Sequence, residues 1–237
     1  MYNIAVILAG GIGARVGGNI PKQLLPLQDG KSVLEHTVNA FEQSPHIHEI
    51  CIVMHPDYIT HAEQMLLAND AWQKVRHIIP GGQERWESSV NAIRLLSERR
   101  EARGNEVNLL LHDAARPFVS QEIIARVCEA LKQHEAVTVA IPSTDTVYEM
   151  ADGRVTRIPQ RSTIMRAQTP QAFRLELIAD AYAKALGISN LSATSSATTP
   201  LCATDDCGIV HKHMKEIPIY IVEGEEQNKK ITFKEDI

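Results

Sequence analysis

Three glycines and two cations near the N-terminus are the residues whose types and spacing first suggest chemistry. Residues 9–15 read AGGIGAR and residues 21–23 read PKQ, so Gly10, Gly11 and Gly13 precede Arg15 and Lys22. A glycine has no Cβ and lets the backbone come close to a ligand. Amides and positive charge converging on one loop are what a phosphate group needs. The spacing separates this loop from two common phosphate binders. A dinucleotide fingerprint runs G-x-G-x-x-G, and Gly17 lies one residue too far beyond Gly13. The second predicted strand also ends in Val53, Met54 and His55, with no acidic residue for a ribose, which argues against a nicotinamide oxidoreductase. No Gly-Lys-Ser/Thr run makes a Walker loop.

Two further polar clusters carry comparable chemistry. Residues 81–89 read GGQERWESS, and residues 112–117 read HDAARP, which sets Asp113 and Arg116 three residues apart. A carboxylate just after a buried strand is a common ligand for Mg²⁺ or a substrate hydroxyl, and its plain alternative is a turn cap. Cys202, Cys207, His211 and His213 could suggest zinc, but they lack the C-x-x-C spacing of such sites.

The elements that must position these clusters follow from the hydrophobic pattern. Residues 4–8 are a short apolar run suited to a strand buried on both faces. A helix follows Ser32, which with Glu35 forms a capping-box pattern, and Pro45 stops it. Strands are predicted over 49–54, 75–79, 107–111, 137–141 and 217–222. Helices are predicted over 57–67, 84–100, 120–133 (with Ser120 as N-cap) and 175–186. This regular alternation implies an α/β fold, a mainly parallel sheet with helices on both faces, in a single domain over 1–237. Ligands in such sheets bind beyond the carboxyl ends of the strands, and the three polar clusters fall there. Asp152-Gly153 between two β-prone runs predicts a hairpin, an arm over about 143–160 outside the sheet. Residues 161–171 read as a polar functional segment. Residues 97–106 read as a solvated loop, and residues 187–199 as a mobile one.

Length and composition bound the rest. A chain of 237 residues with 44% hydrophobic and 22% charged residues can bury a substantial core. Its net charge of −5 offers no basic face for nucleic acid, so an anionic substrate must be held by local cations. No signal-peptide pattern and no run of roughly 20 apolar residues is present, so a cytoplasmic chain without a membrane span is expected. Four dispersed cysteines suit reduced thiols.

Taken in order, LAGGIGARVG, PKQ, GGQERWESS, HDAARP, PSTDTV, the Arg161–Phe173 pattern R-x7-T-P-Q-x-F, Thr204-Asp205 and NKKIT resemble the cytidylyltransferases that make CDP-activated polyols. This family includes the 2-C-methyl-D-erythritol 4-phosphate (IspD) enzymes and the related ribitol-5-phosphate cytidylyltransferases, and the resemblance covers almost the whole chain. It implies a Rossmann-like, nucleotidyltransferase-type sheet and transfer of a cytidylyl group from CTP to a polyol phosphate, with release of diphosphate. Methylerythritol phosphate is the leading acceptor and D-ribitol 5-phosphate the alternative. Gly10 leans toward the ribitol relatives, and the HDAARP run leans away from them. By resemblance, Arg15, Lys22, Asp113 and Lys230 are catalytic, with Lys229 the neighbouring register. Leu8, Ala9, Gly10, Gly11, Gly13, Gly82, Gln83 and Ser88 bind CTP. Arg116, Thr146 and Arg161 bind the acceptor. The resemblance also implies Mg²⁺ held by the CTP phosphates, with Asp113 the one side chain placed to join it, and a homodimer formed through the arm. Residues 233–237 resemble the start of a final helix. A catalytically silent nucleotide-binding relative is the competing reading, and the intact set of charged residues argues against it.

Overall fold

The burial of the first strand on both faces sets the architecture. In β1 (Tyr2–Ala9), Ile4, Val6 and Leu8 face one way and Ala5, Ile7 and Ala9 the other, and both sets are buried. A strand apolar on both faces needs a covering layer on each side. The computed structural model describes residues 1–11, 21–98, 106–191, 201 and 203–236. Gly13 and Arg15 lie outside the described residues, as does most of the predicted 97–106 and 187–199 loops.

Among the described residues, β1 pairs in parallel with β2 (Glu49–Met54) and β4 (Val107–Asp113), and β2 pairs in parallel with β3 (Val75–Pro80). On the other side, β5 (Ala136–Pro142) pairs in parallel with β9 (Ile219–Glu223). A ten-residue strand joins the halves: β8 (Met165–Arg174) lies between β4 and β5 and runs antiparallel to both. The seven-stranded order is β3-β2-β1-β4-β8-β5-β9.

One face of this sheet is covered by α1 (Val33–Glu42), α2 (Ile59–Leu67) and α4 (Gln121–Ala130), through Leu34, Val38, Phe41, Ala62, Ile123 and Val127. The other is covered by α3 (Arg85–Glu98), α5 (Leu175–Leu186) and α6 (Asp206–His213), through Ile93, Leu96, Ile178, Tyr182 and Val210. The capping box at Ser32 and Glu35 forms as its spacing predicts, with both reciprocal bonds present, and Ser120 caps α4.

The sheet is mainly parallel, but residues 161–171 are not simply a functional segment. Their second half belongs to the central strand β8. Pro170 cannot donate to a ladder, and it sits where the β5 pairing shifts register between Thr138 and Val139. Thr169 and Pro170 thus form a bulge, which turns the Thr169 side chain toward the end of β4.

The hairpin forms as a separate two-stranded sheet, β6 (Glu149–Ala151) with β7 (Arg154–Arg157). Asp152 and Gly153 both have positive φ, 50° and 74°, as a primed two-residue turn demands. Every residue of both strands is exposed.

Candidate active site

The carboxyl ends of β1, β3 and β4 open onto one cavity, and two glycine loops form its floor. The loops meet over the hydroxyl of Ser88. A Cβ on Gly10 or on Gly81 would stand 2.8 Å from Ser88 Oγ, and a Cβ on Gly81 would also come within 3.1 Å of Gly10 Cα. Real Cβ atoms do not approach that closely, so glycine at both positions lets the two backbones touch. Ser88 Oγ then accepts from the Gly82 N–H at 3.1 Å, which fixes the second loop at the start of α3. Buried Gln23 holds the first loop, donating through Nε2 to the carbonyls of Ala9 (2.6 Å) and Gly11 (2.8 Å). Leu8, Ala9, Gly10, Gly11, Gly82, Gln83 and Ser88 all line this cavity.

Lys22, Asp113 and Lys230 line the same cavity. Lys22 sits in a 3-10 turn (Lys22–Leu24), and its Nζ donates to the Ile231 carbonyl at 2.7 Å. Asp113 ends β4 between two cations. Its Oδ1 accepts from Arg85 Nε at 3.0 Å and its Oδ2 from Lys230 Nζ at 2.7 Å. Burial pushes this carboxyl up, but Arg85, Lys230 and the hydrogen bond from Lys230 together hold it far below the usual carboxylate range. It is therefore a fixed anion at any physiological pH.

The register of the lysine pair is set by Asn228, which is fully buried. Its Nδ2 donates to Gln168 Oε1 and to the Thr169 carbonyl, and its own carbonyl accepts from Arg116 Nη1 at 2.7 Å. With Ile231 N–H donating to the Ala115 carbonyl, the segment is pinned on both sides of Lys230. Lys230 then points into the cavity, and Lys229 pairs outside it with Asp236 at 3.5 Å.

The turn after β4 is held from below by His112, which is buried and stacked edge-on to Phe41. Its Nε2 lies 3.0 Å from the Arg116 carbonyl and so carries the proton. Bare Nδ1 accepts from the Thr169 hydroxyl at 3.0 Å, and Thr169 Oγ1 accepts from the Asp113 N–H at 3.1 Å. Burial pushes the imidazole down to about 4, against the opposing pull of the Arg116 carbonyl and Asp113. The folded chain thus keeps His112 neutral where an unfolded chain, with an ordinary value of 6.5, takes up a proton. Stability is complete above about pH 6.5 and falls as pH drops toward 4, by about 3 kcal/mol for this one group. A melting-temperature series from pH 7.5 to 4.5 is expected to fall less steeply for His112→Asn than for the parent. Equal slopes would remove His112 as the cause.

Arg116, Thr146 and Arg161 do not line this cavity. Arg116 is engaged with the carbonyls of Asn228 and Ala167, and Arg161 is exposed, 3.5 Å from the Thr144 carbonyl. Thr146 is exposed within the arm, three residues before Glu149. Among the described residues no group of three His, Cys, Asp or Glu side chains could hold a metal ion. Both oxygens of Asp113 already serve a cation, Arg85 on one and Lys230 on the other.

Sequence reasoning missed Gln23, Arg85, Thr169, Asp206 and Asn228 as parts of this arrangement. All five lie in or beside runs already singled out: Gln23 in PKQ, Arg85 in GGQERWESS, Thr169 in the R-x7-T-P-Q-x-F pattern, Asp206 next to Thr204-Asp205 and Asn228 in NKKIT; what was missing is a role for each.

Strand ends that bring two glycine loops, fixed cations and a buried anion to one cavity define a nucleotidyltransferase-type α/β protein. The family model described as IspD, 2-C-methyl-D-erythritol 4-phosphate cytidylyltransferase, matches residues 3–237. This chain belongs to that family of cytidylyltransferases. It is 41% identical over 238 residues to the 2-C-methyl-D-erythritol 4-phosphate cytidylyltransferase of Thermobifida fusca, covering 98% of this chain and 89% of that one. It is 36% identical to the bifunctional ribulose 5-phosphate reductase/CDP-ribitol pyrophosphorylase Bcs1 of Haemophilus influenzae, covering 99% of this chain and 46% of that protein. The crystal structure of 4-diphosphocytidyl-2C-methyl-D-erythritol synthase from Anaerococcus prevotii superposes with a TM-score of 0.80 at 29% identity, covering 99% of this chain and 92% of that one. Among the described residues no helix is long and apolar enough to cross a membrane.

Proposed function

We propose that this enzyme transfers the cytidylyl group of CTP to 2-C-methyl-D-erythritol 4-phosphate. A phosphate oxygen of the polyol attacks the α-phosphorus of CTP, a new P–O bond forms, and the bond to the β-phosphate breaks with release of diphosphate. The observation that carries this reading is the single cavity that joins both glycine loops to Lys22, Asp113 and Lys230. A phosphate monoester is largely dianionic at pH 7, so the nucleophile arrives deprotonated and needs no general base. The protein's task is to align two anions and to neutralise charge that grows on the phosphates.

In this reading the loop around Gly10 and Gly11, with Gly13, takes the triphosphate, and Gly82, Gln83 and Ser88 take the base. Arg15 and Lys22 neutralise the α-phosphate and the leaving diphosphate. Lys230 and Arg161 hold the acceptor phosphate. Asp113 accepts from polyol hydroxyls, since each of its oxygens keeps a lone pair after serving one cation. Arg116 and Thr146 complete the polyol end. Mg²⁺ enters as part of the substrate, on the CTP phosphates with several waters. The exposed apolar side chains Val147, Tyr148, Met150, Val155 and Ile158 at the arm support a homodimer in which the arm of one protomer reaches its partner. We read the enzyme as cytoplasmic, in keeping with Cys51, Cys128 and Cys207, which are outside any disulfide.

The 36% identity to the H. influenzae protein keeps D-ribitol 5-phosphate as the second acceptor. Diphosphate release with CTP and each polyol phosphate separates the two. A larger kcat/KM for methylerythritol phosphate is expected, and a larger value for ribitol phosphate would reassign the acceptor.

A further inference from the structure

Arg85 stands outside the roles assigned above, yet it is tied to the centre of the cavity. Its guanidinium reaches in two directions. Nε donates to Asp113 Oδ1 at 3.0 Å, and Nη1 donates to Asp206 Oδ2 at 2.6 Å. Asp206 is fully buried, and its second oxygen accepts from the Tyr182 hydroxyl at 2.7 Å. Its backbone N–H donates to Gln171 Oε1. The far end of the guanidinium is therefore anchored in the core between α5, α6 and β8, where nothing can follow a moving ligand.

We propose that Arg85 is a positioning residue for the acceptor end of the site. It takes one oxygen of Asp113 so that Lys230 is held by the other alone, with two N–H donors left for the acceptor phosphate. The inference rests on the cytidylyltransferase reading above. Its physical basis is the competition of two cations for one carboxylate. With Arg85 in place, Asp113 faces two partners and cannot turn both oxygens to Lys230. Without Arg85, the nearest free cation for the whole carboxylate is Lys230, and the pair closes into a chelate that withdraws the ammonium from substrate. A planar fork anchored on a second carboxylate gives a fixed geometry that a flexible point charge does not. Among the described residues, Arg116 and His112 on its own turn also face Asp113, and Lys22 lines the same cavity. Neither Arg116 nor His112 has a hydrogen bond to the carboxylate oxygens that could replace the one from Arg85.

The test measures kcat and both KM values by diphosphate release for the parent, Arg85→Gln, Asp206→Asn and the double variant. In Arg85→Gln, kcat/KM for the polyol phosphate is expected to fall about thirtyfold, while KM for CTP stays within about twofold. A loss confined to packing would move the melting temperature without that split. Asp206→Asn, which weakens only the anchor, is expected to lose about fivefold in the same parameter. The double variant is expected to be no worse than Arg85→Gln, because Asp206 acts through Arg85. If Arg85→Gln does not fold, Arg85→Lys carries the test. Its ammonium keeps a cation beside Asp206 but cannot span both carboxylates, and the same split of at least about threefold is expected. Parent-like kcat/KM for the polyol phosphate in a folded Arg85 variant, equal losses toward both substrates, or additive losses in the double variant each overturn the proposal. A parent protein inactive with CTP and both polyol phosphates would instead overturn the function on which it rests.

Discussion

Lys22→Ala is expected to lower kcat about 10²- to 10³-fold, the loss seen when one preorganised donor to a developing oxyanion is removed. The argument is geometric. Pro21 fixes the entry to the Lys22–Leu24 turn, and Gln23 beside it ties that turn to the carbonyls of Ala9 and Gly11. The ammonium is thus delivered to the glycine loop by a turn that the loop itself holds in place. Its bond to the Ile231 carbonyl marks the far side of the cavity, so the charge sits between the loop and the segment that carries Lys230. Lys22→Ala loses the bond to the Ile231 carbonyl but leaves the Gln23 bonds that tie the turn to the glycine loop. The melting temperature is expected to move by only about 2–4 °C, as for a change near 1 kcal/mol in a chain of this size. A folded Lys22→Ala enzyme with parent-like kcat would sink the role assigned to Lys22.

How much of this was legible in the sequence depends on how local each signal is. The strands β1, β2, β3 and β4, the capping box of Ser32 and Glu35, and the Asp152-Gly153 hairpin depend on neighbours within a few residues, and they form as read. Strand β8 was hidden because Arg166, Gln168, Thr169 and Gln171 look solvated and Pro170 argues against a central strand. Its burial comes from pairing with β4 and β5, and its polar side chains are satisfied by distant groups such as Asn228 and Asp205. Helix α6 was missed for a related reason: Gly208 and a cluster of His and Lys blur its apolar face, and its start is fixed by Asp205 accepting from the Gly208 N–H.

The candidate site divides in the same way. Glycine loops, HDAARP and the lysine pair are contiguous runs with a chemical meaning of their own. Arg85 reads as an ordinary helix cation until Asp206, 121 residues later, is brought to it. Asn228 likewise gains its meaning from distant partners, Gln168 60 residues before it, Thr169 and Arg116. Gly13 and Arg15 were singled out from the sequence and lie outside the described residues, so their part in the site rests on the resemblance.

The lysine pair gives the sharpest test of that long-range placement, since two adjacent and chemically identical residues are assigned opposite outcomes. Lys230→Ala is expected to lower kcat/KM for the polyol phosphate about 10²-fold, through loss of a charge-assisted contact to the acceptor phosphate. Lys229→Ala is expected to stay within about twofold, because its ammonium is exposed and pairs with Asp236 outside the cavity, an interaction of the kind worth about 0–1 kcal/mol. The two adjacent side chains reach different carboxylates, Lys230 to Asp113 and Lys229 to Asp236, so a shift of one residue would exchange the two lysines. Asn228 prevents that shift. Its Nδ2 bonds to Gln168 and the Thr169 carbonyl, and its carbonyl bond from Arg116, hold the segment at a single register. Asn228→Ala is accordingly expected to act on the same parameter as Lys230→Ala while leaving both lysines present. If Lys229→Ala is the damaging variant and Lys230→Ala is silent, the register described for this segment is wrong by one residue.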